Sequence, residues 1–243
     1  MNLIKNGDKY YLAKSGNDYY GVSKDYIIEN GRLISAYPKI WLSFSNSYSG
    51  DHPRKHIQTG VYTDAFTKIE AYVYGGGEWC YVFGTDVTAA PTYFNGYILV
   101  RSTTSARISA TIFNKNIIPS KDILSRYSDF MLQKHIIEKK GNTWEYRIND
   151  LFGKINEPTE YKHQQLILGL PALYTGYSGG GKTARMYYCK IWNNSNLIRH
   201  FVPVPTNLQI GSFTVPENGM FDIVNQQFYS NQGSGTFTYG KDA

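Results

Sequence analysis

From Arg185 to Phe237 short apolar or alternating runs are cut by glycine- and asparagine-bearing turns, a pattern with room for strands and none for a long helix. Arg185-Met186-Tyr187, Lys190-Ile191-Trp192, Leu197-Ile198-Arg199 and Phe201-Val202-Pro203 read as strand segments. Gly219, Gly233, Gly235 and Gly240 stand where the backbone needs positive φ or close approach to another strand. The 22 tyrosines, 23 glycines and 16% aromatic content carry the same preference for pleated strands through the rest of the chain. With 243 residues, 42% of them hydrophobic, the chain is long enough to bury one core, so a single main all-β domain is expected.

Residues 1–39 form a distinct piece in which Asn6-Gly7, Ser15-Gly16-Asn17-Asp18 and Glu29-Asn30-Gly31 separate short strand-like runs. Such a small β arm cannot hold a core alone and must lean on the main domain, a sister copy or a partner. Residues 40–55 are the linker loop, and residues 56–243 the sandwich. Inside it, Ile123, Leu124, Tyr127, Phe130 and Met131 fall on one face after Pro119-Ser120, which predicts a short helix over Ser120 to about Gln133. Residues 131–138 and 143–149 read as a hairpin joined by Lys139-Lys140-Gly141-Asn142.

The C-terminal run continues as Gly219-Met220-Phe221-Asp222-Ile223-Val224 and closes with Phe228-Tyr229-Ser230-Asn231-Gln232-Gly233-Ser234-Gly235-Thr236-Phe237. With His56-Ile57-Gln58-Thr59-Gly60-Val61, Lys68-Ile69-Glu70-Ala71 and Phe83-Gly84 upstream, this segment resembles the laminin-G-like, concanavalin A-like domains of bacteriophage and prophage tail and fibre proteins. The resemblance spans roughly residues 55 to 240, is thin between Thr85 and Leu166, and omits the first forty. It implies a two-sheet jelly-roll sandwich with one short helix and the small N-terminal β arm.

Gly176-Tyr177-Ser178-Gly179-Gly180-Gly181-Lys182-Thr183 fits the phosphate-loop pattern and, in part, the nucleophile-elbow pattern. Both need a helix to come next, whereas Ala184 to Trp192 reads as a strand, so the stretch is expected to be a glycine-rich hairpin loop. No Glu-x-Asp-x-Glu strand is present to place an acid and a nucleophile on one face. Glu157 with Glu160, and Glu145 with Asp150, are read as solvated surface carboxylates. His52, His56, His135, His163 and His200 have no zinc-ligand spacing, and no dense Asp/Asn loop offers a calcium site, so neither metal nor cofactor is expected. Asp222 is read as bonding backbone in a tight turn. Cys80 and Cys189 sit inside aromatic runs, where small buried thiols belong.

Tyr48, Tyr93, Tyr174 and Tyr177, outside the expected core, are the candidate sugar-stacking residues. No signal-peptide core and no apolar run of membrane-spanning length is present, and the net charge of +6 is spread along the chain. Neither nucleic acid nor membrane insertion is expected. The resemblance implies a non-enzymatic virion component, a fibre or capsid-decoration protein made in the bacterial cytoplasm. Its arm would bind other virion proteins, and its sandwich would recognise host surface polysaccharide, with a homo-oligomer raising avidity. The alternatives are a purely structural head or tail assembly protein and a glycoside hydrolase with carboxylates from distant strands.

Overall fold

The computed structural model describes residues 40–44, 55–74, 82–85, 133–148, 151–157, 164–169, 185–208, 210, 212–233, 235–240 and 242 with side chains, and further strands by backbone alone. The arm carries three hairpins among its described residues. They are β1 (Ile4–Asn6) with β2 (Lys9–Tyr11), β3 (Ala13–Ser15) with β4 (Asp18–Tyr20), and β5 (Tyr26–Glu29) with β6 (Arg32–Ser35). The sandwich runs on through β7 (Ile40–Ser45), β8 (His56–Tyr62), β9 (Lys68–Gly75), β10 (Cys80–Thr85), β11 (Phe94–Ile98), β12 (Val100–Ser102), β13 (Ser105–Ile112) and β14 (Lys115–Asp122). It continues with β15 (Leu132–Lys140), β16 (Thr143–Ile148), β17 (Leu151–Asn156), β18 (Gln165–Gly169), β19 (Thr183–Asn193) and β20 (Asn196–Val204). The short β21 (Gln209–Ile210), β22 (Phe213–Thr214), β23 (Gly219–Asp222), β24 (Gln227–Tyr229) and β25 (Thr238–Lys241) close it.

Two antiparallel sheets form a concanavalin A-like jelly roll. The smaller has the order β12-β13-β11-β10-β18-β8, with β14 on β13. The larger runs β17-β16-β15-β9-β19-β20-β23-β24, with β7 beside β19 and β25 beside β7. Period-two alternation sets which side of each strand is buried. On β9, Ile69, Ala71 and Val73 are fully buried between the sheets, which sends Lys68, Glu70, Tyr72 and Tyr74 to the outer face. On β16, Trp144, Tyr146 and Ile148 go in while Thr143, Glu145 and Arg147 go out.

Aromatic rings fill the core: Phe44 meets Phe237 at 4.8 Å, Phe66 meets Trp144 edge-on at 5.7 Å, and Phe83 of the smaller sheet stacks on Tyr146 of the larger at 6.1 Å. Each such buried side chain contributes roughly 1.5–3 kcal/mol by leaving water. Val202, Val204, Leu208, Val215 and Phe221 make a second apolar cluster. The loop between β20 and β23 folds back there through Asn207 N–H to the Val215 carbonyl and Val215 N–H to the Leu208 carbonyl. Strand β21, in that loop, pairs with β3 and ties the arm to the sandwich.

The motif that carried the resemblance has a structural use. Asn231 Oδ1 accepts the His56 N–H at 2.9 Å, Gln232 Oε1 accepts the Gln58 N–H at 2.6 Å, and the Gln232 N–H donates to the His56 carbonyl. These bonds cover the outer edge of β8, which would otherwise offer unpaired backbone groups to another chain.

No helix occurs among the described residues. The helix expected over Ser120 to Gln133 is strand at both ends, Ser120–Asp122 in β14 and Leu132–Gln133 in β15, while residues 123–131 lie outside the described residues. At those ends pairing with β13 and β9 sets the backbone as strand. The hairpin expected around Gly141-Asn142 is present as β15 and β16, with Lys140 opposite Thr143 and Gly141 at φ +59°.

Candidate functional site

Three neighbouring strands of the larger sheet, β15, β9 and β19, come from distant parts of the chain and line up in register. Across them the outward positions form three rows: Glu138, Lys68 and Trp192; Ile136, Glu70 and Lys190; and Lys134, Tyr72 and Tyr188. Charge and aromatic surface thus alternate over one patch, with a carboxylate at its centre.

Glu70 is 9% exposed. It accepts the Tyr188 hydroxyl at 2.8 Å and lies 3.2 Å from the Lys134 ammonium. Burial, reinforced by the Glu70 charge and hydrogen bond, pushes the Tyr188 phenol well above its ordinary range, so Tyr188 stays protonated and donates. The Tyr72 ring stacks on Tyr188 at 5.8 Å and 17°. Lys68 hangs over the Trp192 ring at 4.8 Å and reaches Glu138 at 4.0 Å. Lys190, half-buried, sits 5.0 Å over the Tyr188 ring; burial lowers its ammonium pKa against the opposing pull of Glu70. Beside it on β20, His200 is buried and neutral, its pKa lowered to about 3 by burial and then by Lys190.

Glu138 and Glu145 face each other across β15 and β16, an arrangement that repels unless a cation intervenes. Lys140 intervenes, 2.9 Å from Glu145 and 3.8 Å from Glu138. Hydrogen bonds from Lys140 first, and from Arg147, hold the Glu145 carboxyl below its ordinary range despite partial desolvation. Glu145 therefore stays ionised and does not suit a general acid.

The other buried titratable groups are structural. His135 lies in the core between the Tyr146 hydroxyl at Nδ1, 2.8 Å, and Gln133 Oε1 at Nε2, 3.1 Å, and burial lowers its pKa to about 3. Asp222 accepts backbone N–H groups of His200 and Val224 and the Asn225 amide, with Arg199 at 3.5 Å, as its reading in a tight turn requires. Cys189 is buried and free, and burial raises its thiol pKa. Arg185 stacks on Trp41 and Tyr74, but the chain's own Asp242 takes the Trp41 and Tyr187 donors, so this cluster fastens the C-terminal segment.

Tyr48, Tyr93, Tyr174 and Tyr177, the tyrosines singled out by sequence, lie outside the described residues, as does the glycine-rich loop up to Lys182. Strand β19 begins directly after that loop and is flanked by β9 and β20, so the helix that either motif needs is absent. Glu157 corrects its reading as a solvated carboxylate: its side chain is 15% exposed and accepts Lys139 at 2.7 Å and the Trp144 indole at 3.3 Å. Glu145, too, is half-buried and doubly paired. Glu70 escaped notice because its significance depends on Lys134 and Tyr188, far away in the chain; the one local signal was a carboxylate on the outward side of β9, between Lys68 and Tyr72. Among the described residues no cluster could hold a metal ion.

No protein-family model matches the chain, and no curated protein matches it. The chain is similar to the catalytic domain of an endo-1,3-β-glucanase (laminarinase) from Thermotoga petrophila RKU-1, at TM-score 0.42 and 14% identity over 72% of this chain and 82% of that one. The laminarinase catalytic domain from Thermotoga maritima MSB8 gives 0.41 and 13% over 77% and 83%. The Crh5 transglycosylase in complex with NAG gives 0.40 and 15% over 66% and 75%. The expectation of a non-enzymatic virion protein stands corrected: these three solved structures are two laminarinase catalytic domains and a transglycosylase, and none is a virion protein. The part of the resemblance that stands is the concanavalin A-like jelly roll.

Proposed function

We propose that this chain acts on carbohydrate, with glycan lying along the outer face of the larger sheet and Glu70 as the reacting carboxylate. The observation that carries this reading is Glu70 itself, at the centre of the patch, held by the buried Tyr188 and by Lys134 and flanked by the partly exposed Tyr72 and Trp192 rings, of the kind on which sugar faces stack. Cleavage of a glycosidic bond needs a second carboxyl group. Glu138 supplies it: Glu70 is opposite Ile136, so Glu138 is its diagonal neighbour on the same face, about 7–8 Å away at the backbone.

The test is incubation of the full chain with a panel of neutral and acidic oligosaccharides, and then mass spectrometry of the products. Glu70→Gln is expected to lower turnover by roughly a hundredfold or more while leaving the far-ultraviolet circular dichroism unchanged. Turnover that survives Glu70→Gln, or a chain that neither cleaves nor binds any of the panel, would overturn the proposal.

A further inference from the structure

The charges around Glu70 do not balance. Its carboxylate is matched by Lys134 at 3.2 Å and by the Tyr188 hydroxyl, and Lys68 is engaged by Glu138 and the Trp192 ring. Lys190, directly opposite Glu70 in register, is left with the face of Tyr188 and has neither hydrogen bond nor ion pair within the described residues. A half-buried ammonium in that position has lost part of its water, and the pull of Glu70 from the neighbouring strand comes without an ion-pair contact. Its neighbour on the other side, His200, is neutral and cannot supply one. Trp192, Lys190 and Tyr188 alternate along one strand, about 6.7 Å apart, so the ammonium lies between the buried Tyr188 ring and the Trp192 ring that a sugar chain would cover.

We infer that the glycan engaged by this face is acidic, carrying a carboxylate or sulfate ester that Lys190 takes up between the Trp192 and Tyr188 rings. The inference rests on the reading of Glu70 and its surroundings as the carbohydrate face. Lys190 is then a specificity-determining residue: it sets which sugar sits beside Glu70 and takes no part in bond cleavage. A neutral glucan would leave the ammonium stripped of water and unpaired, and that unmet charge is the source of discrimination between acidic and neutral chains.

Isothermal titration at low and moderate ionic strength would compare sulfur-linked, uncleavable oligomers of a polyuronate, a sulfated galactan and a neutral β-glucan, with Glu70 left in place to hold Lys134. The acidic oligomers are expected to bind about ten- to a hundredfold more tightly than the glucan, and added salt to erode the difference. Lys190→Met should abolish the preference, Lys190→Arg should restore most of it, and Lys154→Gln, an equal loss of charge on an exposed edge strand, should leave it intact. Which acidic oligomer responds to Lys190→Met separates carboxylate from sulfate. Equal affinity for acidic and neutral oligomers, or a preference that survives Lys190→Met, would overturn the inference while the carbohydrate face stands. Binding to none of the three would remove both.

Discussion

At the scale of single residues, Asp222 has the most contacts to lose. Its two oxygens accept two backbone N–H groups and a side-chain amide, close to the Arg199 guanidinium, in a fully buried position. Asp222→Asn turns an acceptor oxygen into a donor that faces the Asn225 amide and Arg199. Loss of hydrogen bonds to a charged group predicts a destabilisation of roughly 1.5–3 kcal/mol, read as a lower urea midpoint at unchanged slope. Asp222 was legible through its local partners, Val224 and Asn225, because a carboxylate just before a turn bonds the N–H two residues on, whereas its bonds to His200 and Arg199 come from β20. Glu70 was not, since it shares the solvent-facing side of β9 with residues whose partners lie on β15 and β19. A single sequence displays a carboxylate there but not the tyrosine and lysines that give it a role.

At the scale of elements, the contrast is between the hairpin of β15 and β16, read correctly, and the helix expected just before it. The hairpin signal is a glycine-bearing turn between two alternating runs, and every part of it is local. Gly141 adopts φ +59° and a Cβ there would meet nothing within 4 Å, so the constraint is conformational and not steric. Gly141→Val is therefore expected to cost about 1–2 kcal/mol, whereas Gly141→Asn, tolerant of left-handed backbone, should lose only a fraction of that. Paired thermal melts of the two variants test the difference; equal losses would mean the turn is not held left-handed. The ends of the expected helix were misread for the opposite reason. Apolar spacing after Pro119 satisfies a helical period, but Lys121 and Asp122 are claimed by Ile108 and Arg107 of β13, and Leu132 and Gln133 by Tyr74 and Val73 of β9. A partner strand outside the window decides the outcome.

At the scale of the whole molecule, all-β character and the two-sheet sandwich were readable because alternation and turn chemistry recur along the entire chain. Strand order was not readable: β9 lies beside β19, and that pairing, invisible in either strand alone, builds the face proposed to meet glycan. The same closure buries two histidines on opposite sides of the larger sheet, His135 between Tyr146 and Gln133 in the core and His200 beside Lys190 and the Tyr188 ring. Each has its pKa lowered by burial from 6.5 to about 3, so each is neutral in the folded chain and takes a proton once unfolded. Below about pH 6.5 the unfolded state binds more protons than the folded one, so stability falls with falling pH and levels off only once the folded rings protonate near pH 3. Glu145 acts elsewhere: held low by Lys140 and Arg147, its contribution is present above its ordinary value of 4.5 and is lost as the pH drops through its lower folded value. Between pH 6 and 5 the histidines therefore act without it. Two such groups predict a loss of about 2.4 kcal/mol from pH 6 to pH 5, measurable by urea titration at fixed temperature. His200→Gln and His135→Gln should each remove about half of the slope, whatever they do to absolute stability. A wild-type stability that is flat from pH 6 to 5 would mean that neither ring is held neutral, and the closure of the larger sheet over both would have to be redrawn.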